Sequence, residues 1–246
     1  MNTTSGKGFL DQLRARLAQP LPGIGACSDF EPELCYGRHQ GPPAHDARPA
    51  AVLLLLYPGE AVKKLGQAPR SYAKSLQNTD IHSESVSFFH SLGESSWHLP
   101  LTVRPTAMSS HGGQVSLPGG LIEPGETIEQ AALRECCEEL GEAGAEVQIL
   151  GSLSQIYVFA TNFLVTPCVA WTPTRPRFEP NPAEVANLLE PSIVDLLNPD
   201  RRGSHMIERR GVRFRVPHVV YDQHEIWGAT NVILAEFLHL VGDLTC

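Results

Sequence analysis

The chain has 246 residues, 42% of them hydrophobic and 19% charged, the proportions of an ordinary globular protein with one core and appendages. Its formal net charge of −8 argues against a general nucleic-acid binder, which would be basic. Anionic substrates stay open, because bound divalent cations reverse the sign of a local site.

The N-terminal MNTTSGKG carries no apolar stretch, so no secretory leader is expected. The longest apolar run, Ala50–Tyr57, is too short to cross a bilayer. The expectation is a cytoplasmic protein with no membrane or nucleic-acid partner. Six cysteines stand at 27, 35, 136, 137, 168 and 246 without a C-x-x-C pair, which gives a thiolate zinc site little support. Cys136 and Cys137 diverge on a helix, so buried reduced thiols are expected.

In chain order, Phe9, Leu10, Leu13 and Leu17 recur at helical spacing and predict an amphipathic helix over 8–18, packed on the domain or on a partner. Residues 20–49 are rich in Pro and Gly and read as irregular. Residues 1–45 are therefore an extension, and 46–246 a domain. AAVLLLLY (50–57) is a buried strand. Residues 58–95 are polar and Ser-rich and read as an insertion, suited to a substrate lid or to a contact in a homodimer. Trp97–Arg104 predicts a strand, with a loop from there to Gly120. Glu126–Leu140 predicts a helix with Thr127 and Gln130 as capping box and Gly141 at its C-terminal end. Strands are expected over 148–160, 163–171 and 211–221, a helical piece within 182–197, and a final helix over 225–241. This order suits a mixed sheet covered by helices, an α/β fold.

The charge is concentrated. Between Glu123 and Glu142 there are seven Glu and one Arg. Glu135, Glu138 and Glu139 stand at i, i+3 and i+4, so their carboxylates share a helical face and repel unless cations bind between them. Oxygen-only ligands suit Mg²⁺ or Mn²⁺. Arg134 is placed to hold a neighbouring carboxylate by a bidentate contact. A solvated acidic face is the other reading of such a run.

The spacing decides between them. Gly120, Glu126, Arg134, Glu135, Glu138, Glu139 and Gly141 form G-x5-E-x7-R-E-x2-E-E-x-G, which resembles the Nudix box. Seven specified positions would coincide by chance in a chain this long with odds on the order of one in a million. The resemblance implies an α/β/α Nudix sandwich with a mixed sheet, and a pyrophosphatase. It implies that Glu138 and Glu139 are the principal metal ligands, and that Glu135 is a ligand or the base for the attacking water. Arg134 would orient Glu135, Glu126 would brace the loop, and the carbonyl of Gly119 would complete the coordination.

A second resemblance lies just upstream. LTVRPTAMSSHGGQVSLPGG (101–120) is similar to the signature of the coenzyme A pyrophosphatase branch, LLTxRSxxLxxHxGQVSFPGG, with departures at Pro105, Met108 and Leu117. VTPCVAW (165–171), PNPAEV (180–185) and IWGATNVIL (226–234) extend it. It implies hydrolysis of coenzyme A or its thioesters to a phosphopantetheine product and adenosine 3′,5′-bisphosphate, with an ADP-ribose or dinucleotide pyrophosphatase as alternative and a non-catalytic nucleotide-binding module as a third. Arg104, His111, Gln114 and Glu184 are the candidate substrate-binding residues. Each has a plainer reading: an ion pair for Arg104, a loop histidine for His111, a dipole-favoured helix N-terminus for Glu184. Arginines 201, 202, 209, 210, 213 and 215 would receive a 3′-phosphate or form a solvated hairpin edge. Trp227 reads as core rather than as a base platform.

Overall fold

A computed structural model of the chain describes residues 3–35, 38–59, 97–107, 112–141, 146–209 and 211–244. The insertion expected over 58–95 lies, from residue 60 on, outside the described residues, as does His111. Helix α1 (Thr3–Leu17) is followed by three short 3₁₀ turns and then β1 (Arg48–Pro58). Strands β2 (Trp97–His98), β3 (Leu101–Val103), β4 (Val115–Ser116) and β5 (Gly119–Leu121) precede helix α2 (Ile128–Leu140). Next come β6 (Gln148–Ser152), β7 (Ile156–Val158), β8 (Phe163–Trp171), β9 (Asn187–Leu189) and α3 (Ile193–Leu197). The chain closes with β10 (Arg202–Arg209), β11 (Val212–Tyr221), β12 (His224–Trp227) and α4 (Ala229–Asp243).

The central sheet is mixed. β1 and β8 are parallel over nine pairs, from Arg48↔Phe163 to Leu56↔Trp171, while β2 and β5 join β1, and β6 and β7 join β8, antiparallel. Two smaller antiparallel sheets, β4-β3-β9 and β10-β11-β12, flank it.

Strand β1 shows why the sheet is covered on both sides. Its apolar run is nearly continuous, and alternate residues point to opposite faces. Ala51, Leu53 and Leu55 pack with Ala131, Ala132, Cys136 and Leu140 of α2. Ala50, Leu54 and Leu56 belong to the larger core on the other face, with Leu10, Leu13 and Leu17 of α1 and Val232, Phe237 and Leu240 of α4. The arrangement is an α/β/α sandwich. The N-terminal helix thus packs on the domain and shares its core. Within α4, Glu236 is fully buried and accepts hydrogen bonds from the backbone N–H of Gly23 at 3.1 Å and of Ser154 at 2.9 Å, tying the extension to the sheet. Among the described residues no helix is long and apolar enough to cross a membrane.

Several boundaries differ from the sequence reading, each for a physical reason. The strand expected over 97–104 splits at Pro100: β2 pairs with β1, and β3 turns into the second sheet. The expected loop to Gly120 contains β4 and β5. The strand expected over 148–160 breaks after Ser152, where the Ser154 N–H leaves the ladder for Glu236. In 182–197 the helix is confined to Ile193–Leu197 behind a Ser192–Asp195 capping box, because Asn187–Leu189 pairs with β3. The last helix begins after Gly228 (φ +66°), and Glu225–Trp227 is strand. Cys137 is exposed rather than buried, since it points about 100° round the helix from Cys136.

Candidate active site

Helix α2 begins at Ile128, two residues after the expected Glu126, behind the Thr127 cap that the sequence placed. The Thr127 hydroxyl accepts from the Gln130 N–H at 3.2 Å and the Gln130 side chain accepts from the Thr127 N–H at 2.9 Å. Glu126 therefore lies just ahead of the helix, free to face Arg134 across its first two turns. Arg134 Nε donates to Glu126 Oε1 at 2.7 Å and Nη2 to Oε2 at 3.0 Å, a bidentate pair. Glu126 Oε2 also accepts from the Glu123 N–H at 2.9 Å, and Arg134 Nη2 donates to the Leu121 carbonyl at 3.0 Å. The loop between β5 and α2 is closed by this circuit. Arg134 and the Glu123 N–H hold the Glu126 carboxyl below its usual range.

The remaining Arg134 nitrogen, Nη1, donates to Glu135 Oε1 at 3.0 Å and Glu138 Oε2 at 3.2 Å. Glu135 lies against β5: a Cβ built on Gly120 would stand 2.5 Å from its carboxylate. Gly119 is equally close to β1, where an added Cβ would meet Val52 Cα at 2.6 Å. The two glycines let the β5 backbone approach β1 on one side and Glu135 on the other. Burial pushes the Glu135 carboxyl up, Arg134 opposes that shift, and Glu138 and Glu184 add to it.

Glu139 is the buried member, 3% exposed. Its Oε1 accepts from the Gly119 N–H at 3.3 Å, and Thr102 of β3 lies close enough to the same carboxylate to favour its charged form. Burial raises it to about 7 against the lowering effects of Gly119, Thr102 and Arg104, with Glu184 raising it further. Glu184 lies in a turn, so a helix dipole does not account for it. That turn is fastened to the C-terminal end of α2, Asn181 N–H donating to the Glu139 carbonyl at 2.8 Å and Asn181 Nδ2 to Glu184 Oε1 at 3.2 Å. Gly141 ends the helix with φ +78° and packs on Glu179.

Arg104 follows β3 and exchanges backbone hydrogen bonds with its loop: its N–H donates to the Gln114 carbonyl at 3.0 Å and its carbonyl accepts from the Gly113 N–H at 2.9 Å. Arg104 and Gln114 thus stand side by side, and the charge of Arg104 acts on Glu139. The basic set divides. Arg201 pairs with Asp195 at 2.8 Å, Arg215 pairs with Glu33 at 3.1 Å, and Arg202 stacks over Phe30, on or just before a β10–β11 hairpin. Trp227 is half-buried and sets its edge against His205.

The sequence reading did not single out Thr102 as a site residue. Thr102 is the polar residue of a strand buried throughout, 1% exposed, beside Ser116, whose hydroxyl lies 3.1 Å away.

The donor chemistry fits a divalent cation. Glu135, Glu138, Glu139 and Glu184 offer oxygen only, and Glu139 and Glu135 are carboxylates that burial penalises when charged. Among the described residues, no three of these four bring an oxygen each within 4.8 Å of one another, Arg134 drawing Glu135 and Glu138 to itself.

The model of the NUDIX domain family matches residues 98–202. A protein of Photorhabdus laumondii, described as an uncharacterized Nudix hydrolase NudL, is 37% identical over 144 residues, 58% of this chain and 76% of that protein. Another of the same description from Pectobacterium atrosepticum is 35% identical over 146 residues, covering 59% and 76%. Among solved structures, a Nudix hydrolase from M. smegmatis, RenU, aligns over 62% of this chain and 78% of that one at 21% identity, with a TM-score of 0.40.

Proposed function

The chain belongs to the Nudix hydrolase family, whose members hydrolyse pyrophosphate bonds of nucleoside diphosphate derivatives, and from that premise we propose that it hydrolyses coenzyme A or its thioesters. The products are a phosphopantetheine derivative and adenosine 3′,5′-bisphosphate. The observation that carries the chemistry is the buried Glu139 carboxylate seated between the Gly119 N–H and Thr102, with Glu135 and Glu184 beside it.

Glu135, Glu138 and Glu139, with the Gly119 carbonyl and Glu184, would hold Mg²⁺ or Mn²⁺. Bound there, divalent cations polarise phosphoryl oxygens and stabilise the departing phosphate. Arg134 orients Glu135 through its 3.0 Å hydrogen bond while Glu126 fixes Arg134. Glu135, its affinity for a proton raised by burial, takes the proton from water as the water oxygen bonds to phosphorus. The bridging P–O bond breaks and the second phosphate leaves with its electron pair. Arg104, whose charge acts on Glu139, offers a cation to the substrate's phosphates, and Gln114 stands beside it. His111 joins this set in the proposal from its place in the sequence motif.

Support for coenzyme A comes from segment 101–120 and the downstream segments 165–171, 180–185 and 226–234. The test offers purified protein Mg²⁺ with coenzyme A, ADP-ribose, NADH and a diadenosine polyphosphate, beside Glu138→Gln. Preferred turnover of coenzyme A, lost in the variant, is expected. Preference for ADP-ribose would overturn the substrate, and equal activity in Glu138→Gln would overturn the role given to Glu138.

A further inference from the structure

The third sheet carries a cluster that the acidic helix does not use. His205 on β10, His218 on β11 and Glu225 on β12 bring their side chains together on one face. His218 is paired with Gly203 and with Trp227, so His205 and Glu225 are its diagonal neighbours, each two residues along the adjacent strand. His205 Nδ1 lies 2.9 Å from His218 Nδ1 and 2.9 Å from Glu225 Oε2, and His218 Nδ1 lies 3.6 Å from Glu225 Oε1. The two imidazoles stack with ring centroids 5.1 Å apart.

Gly203 makes room for this arrangement. A Cβ there would stand 2.5 Å from His218 Nε2. The rings of Trp227 and His205 pack at 90° with centroids 5.9 Å apart, which limits rotation of the imidazole. The Nδ1 atoms are thus turned toward each other and toward the carboxylate by packing on their far sides.

Ligand separation is the discriminating quantity. Four-coordinate Zn²⁺ with bonds of about 2.0–2.1 Å places its ligand atoms about 3.3 Å apart. The two imidazole Nδ1 atoms lie 2.9 Å apart, one Glu225 oxygen lies 2.9 Å from that of His205 and the other 3.6 Å from that of His218, separations that bracket that value. Two imidazole nitrogens with one carboxylate oxygen also suit zinc and its borderline neighbours better than Mg²⁺, which prefers oxygen alone. A fourth position is left for water, because Glu225 and His205 reach the surface while His218 is buried.

We propose that His205, His218 and Glu225 form a second metal site, separate from the acidic helix, that binds one Zn²⁺ and joins β10, β11 and β12. The competing arrangement is a proton shared between the two imidazoles, which the same distances accommodate.

The full-length protein is incubated with Zn²⁺ in excess Mg²⁺, freed of loose metal by gel filtration, and its retained zinc measured. One zinc per chain is expected, kept in Glu138→Gln and lost in His205→Asn and Glu225→Gln. Co²⁺ added to the unaltered protein provides a readout that no variant's folding can disturb. The intense visible bands of a four-coordinate nitrogen–oxygen site are expected, bleached by one equivalent of Zn²⁺. No retained zinc and only the weak bands of six-coordinate Co²⁺ would overturn the site in favour of the shared proton. Zinc kept in His205→Asn but lost in Glu138→Gln would assign the metal to the acidic helix instead.

Discussion

The Glu135 carboxylate lies so close to Gly120 that a Cβ at residue 120 would stand 2.5 Å from it. Arg134 and burial hold the carboxylate in that position. Gly120→Ala therefore forces Glu135 away while leaving both cores untouched. A fall in kcat/KM on the order of 10²-fold is expected, as for a group displaced by about 1 Å. An unchanged circular dichroism spectrum should accompany it. Full activity in this variant would mean that Glu135 is not needed where it lies.

Arg134 makes five hydrogen bonds to four residues at once, and lysine cannot reproduce the fork that grips Glu126. Arg134→Lys keeps the charge and loses the geometry. Residues that orient metal ligands contribute about 10- to 100-fold to metal affinity or activity. A Mg²⁺ titration of the hydrolysis rate should show the half-saturating concentration raised by that order. An unshifted titration would restrict Arg134 to closing the loop.

Glu190 provides a pH test away from the acidic helix. Burial would raise its carboxyl, but Arg175, at 2.7 Å through both Nε and Nη2, and the Tyr57 hydroxyl at 2.6 Å hold it below its ordinary value. A carboxylate with a lowered folded-state pKa contributes stability above its unfolded pKa and loses it as pH falls through the folded one. Arg175→Met should therefore destabilise the protein at neutral pH, by about 1–2 kcal/mol given the half-exposed arginine. The deficit should shrink in acid below the ordinary carboxylate range. Urea unfolding at the two pH values measures it, and an equal deficit at both would assign the effect to packing.

Glu236→Leu tests the tie between the extension and the sheet. The Gly23 and Ser154 N–H groups lose their acceptor. At about 1–3 kcal/mol for each unsatisfied group, a loss of about 2–6 kcal/mol is expected in chemical unfolding. A change below ~0.5 kcal/mol, the scale of a surface substitution, would show that the extension is held by α1 packing alone.

The acidic helix was readable from sequence because its instructions are local: a capping box, a glycine stop and carboxylates at fixed helical offsets. The apolar run of β1 likewise announced a strand covered on both faces. What the sequence hid was set by distant partners. Nothing near Pro100 says that the chain changes sheets there, and Glu225 reads as helix until Val220 pairs with it. Thr102 acquires its meaning from Glu139, thirty-seven positions away, and Glu236 from a glycine at residue 23. His205, His218 and Glu225 are scattered among arginines and valines, and only the register of three strands joins them.

The central claim is that the buried Glu139 carboxylate takes part in metal-assisted pyrophosphate hydrolysis. It is tested most directly by comparing Glu139→Gln with the unaltered protein on coenzyme A at saturating Mg²⁺. Glutamine keeps the shape and an acceptor for the Gly119 N–H but removes the charge. A loss on the order of 10³-fold in kcat is expected, corresponding to several kcal/mol of lost charge stabilisation. A variant that turns over within about twofold of the unaltered protein, less than 0.5 kcal/mol in the barrier, would contradict the claim.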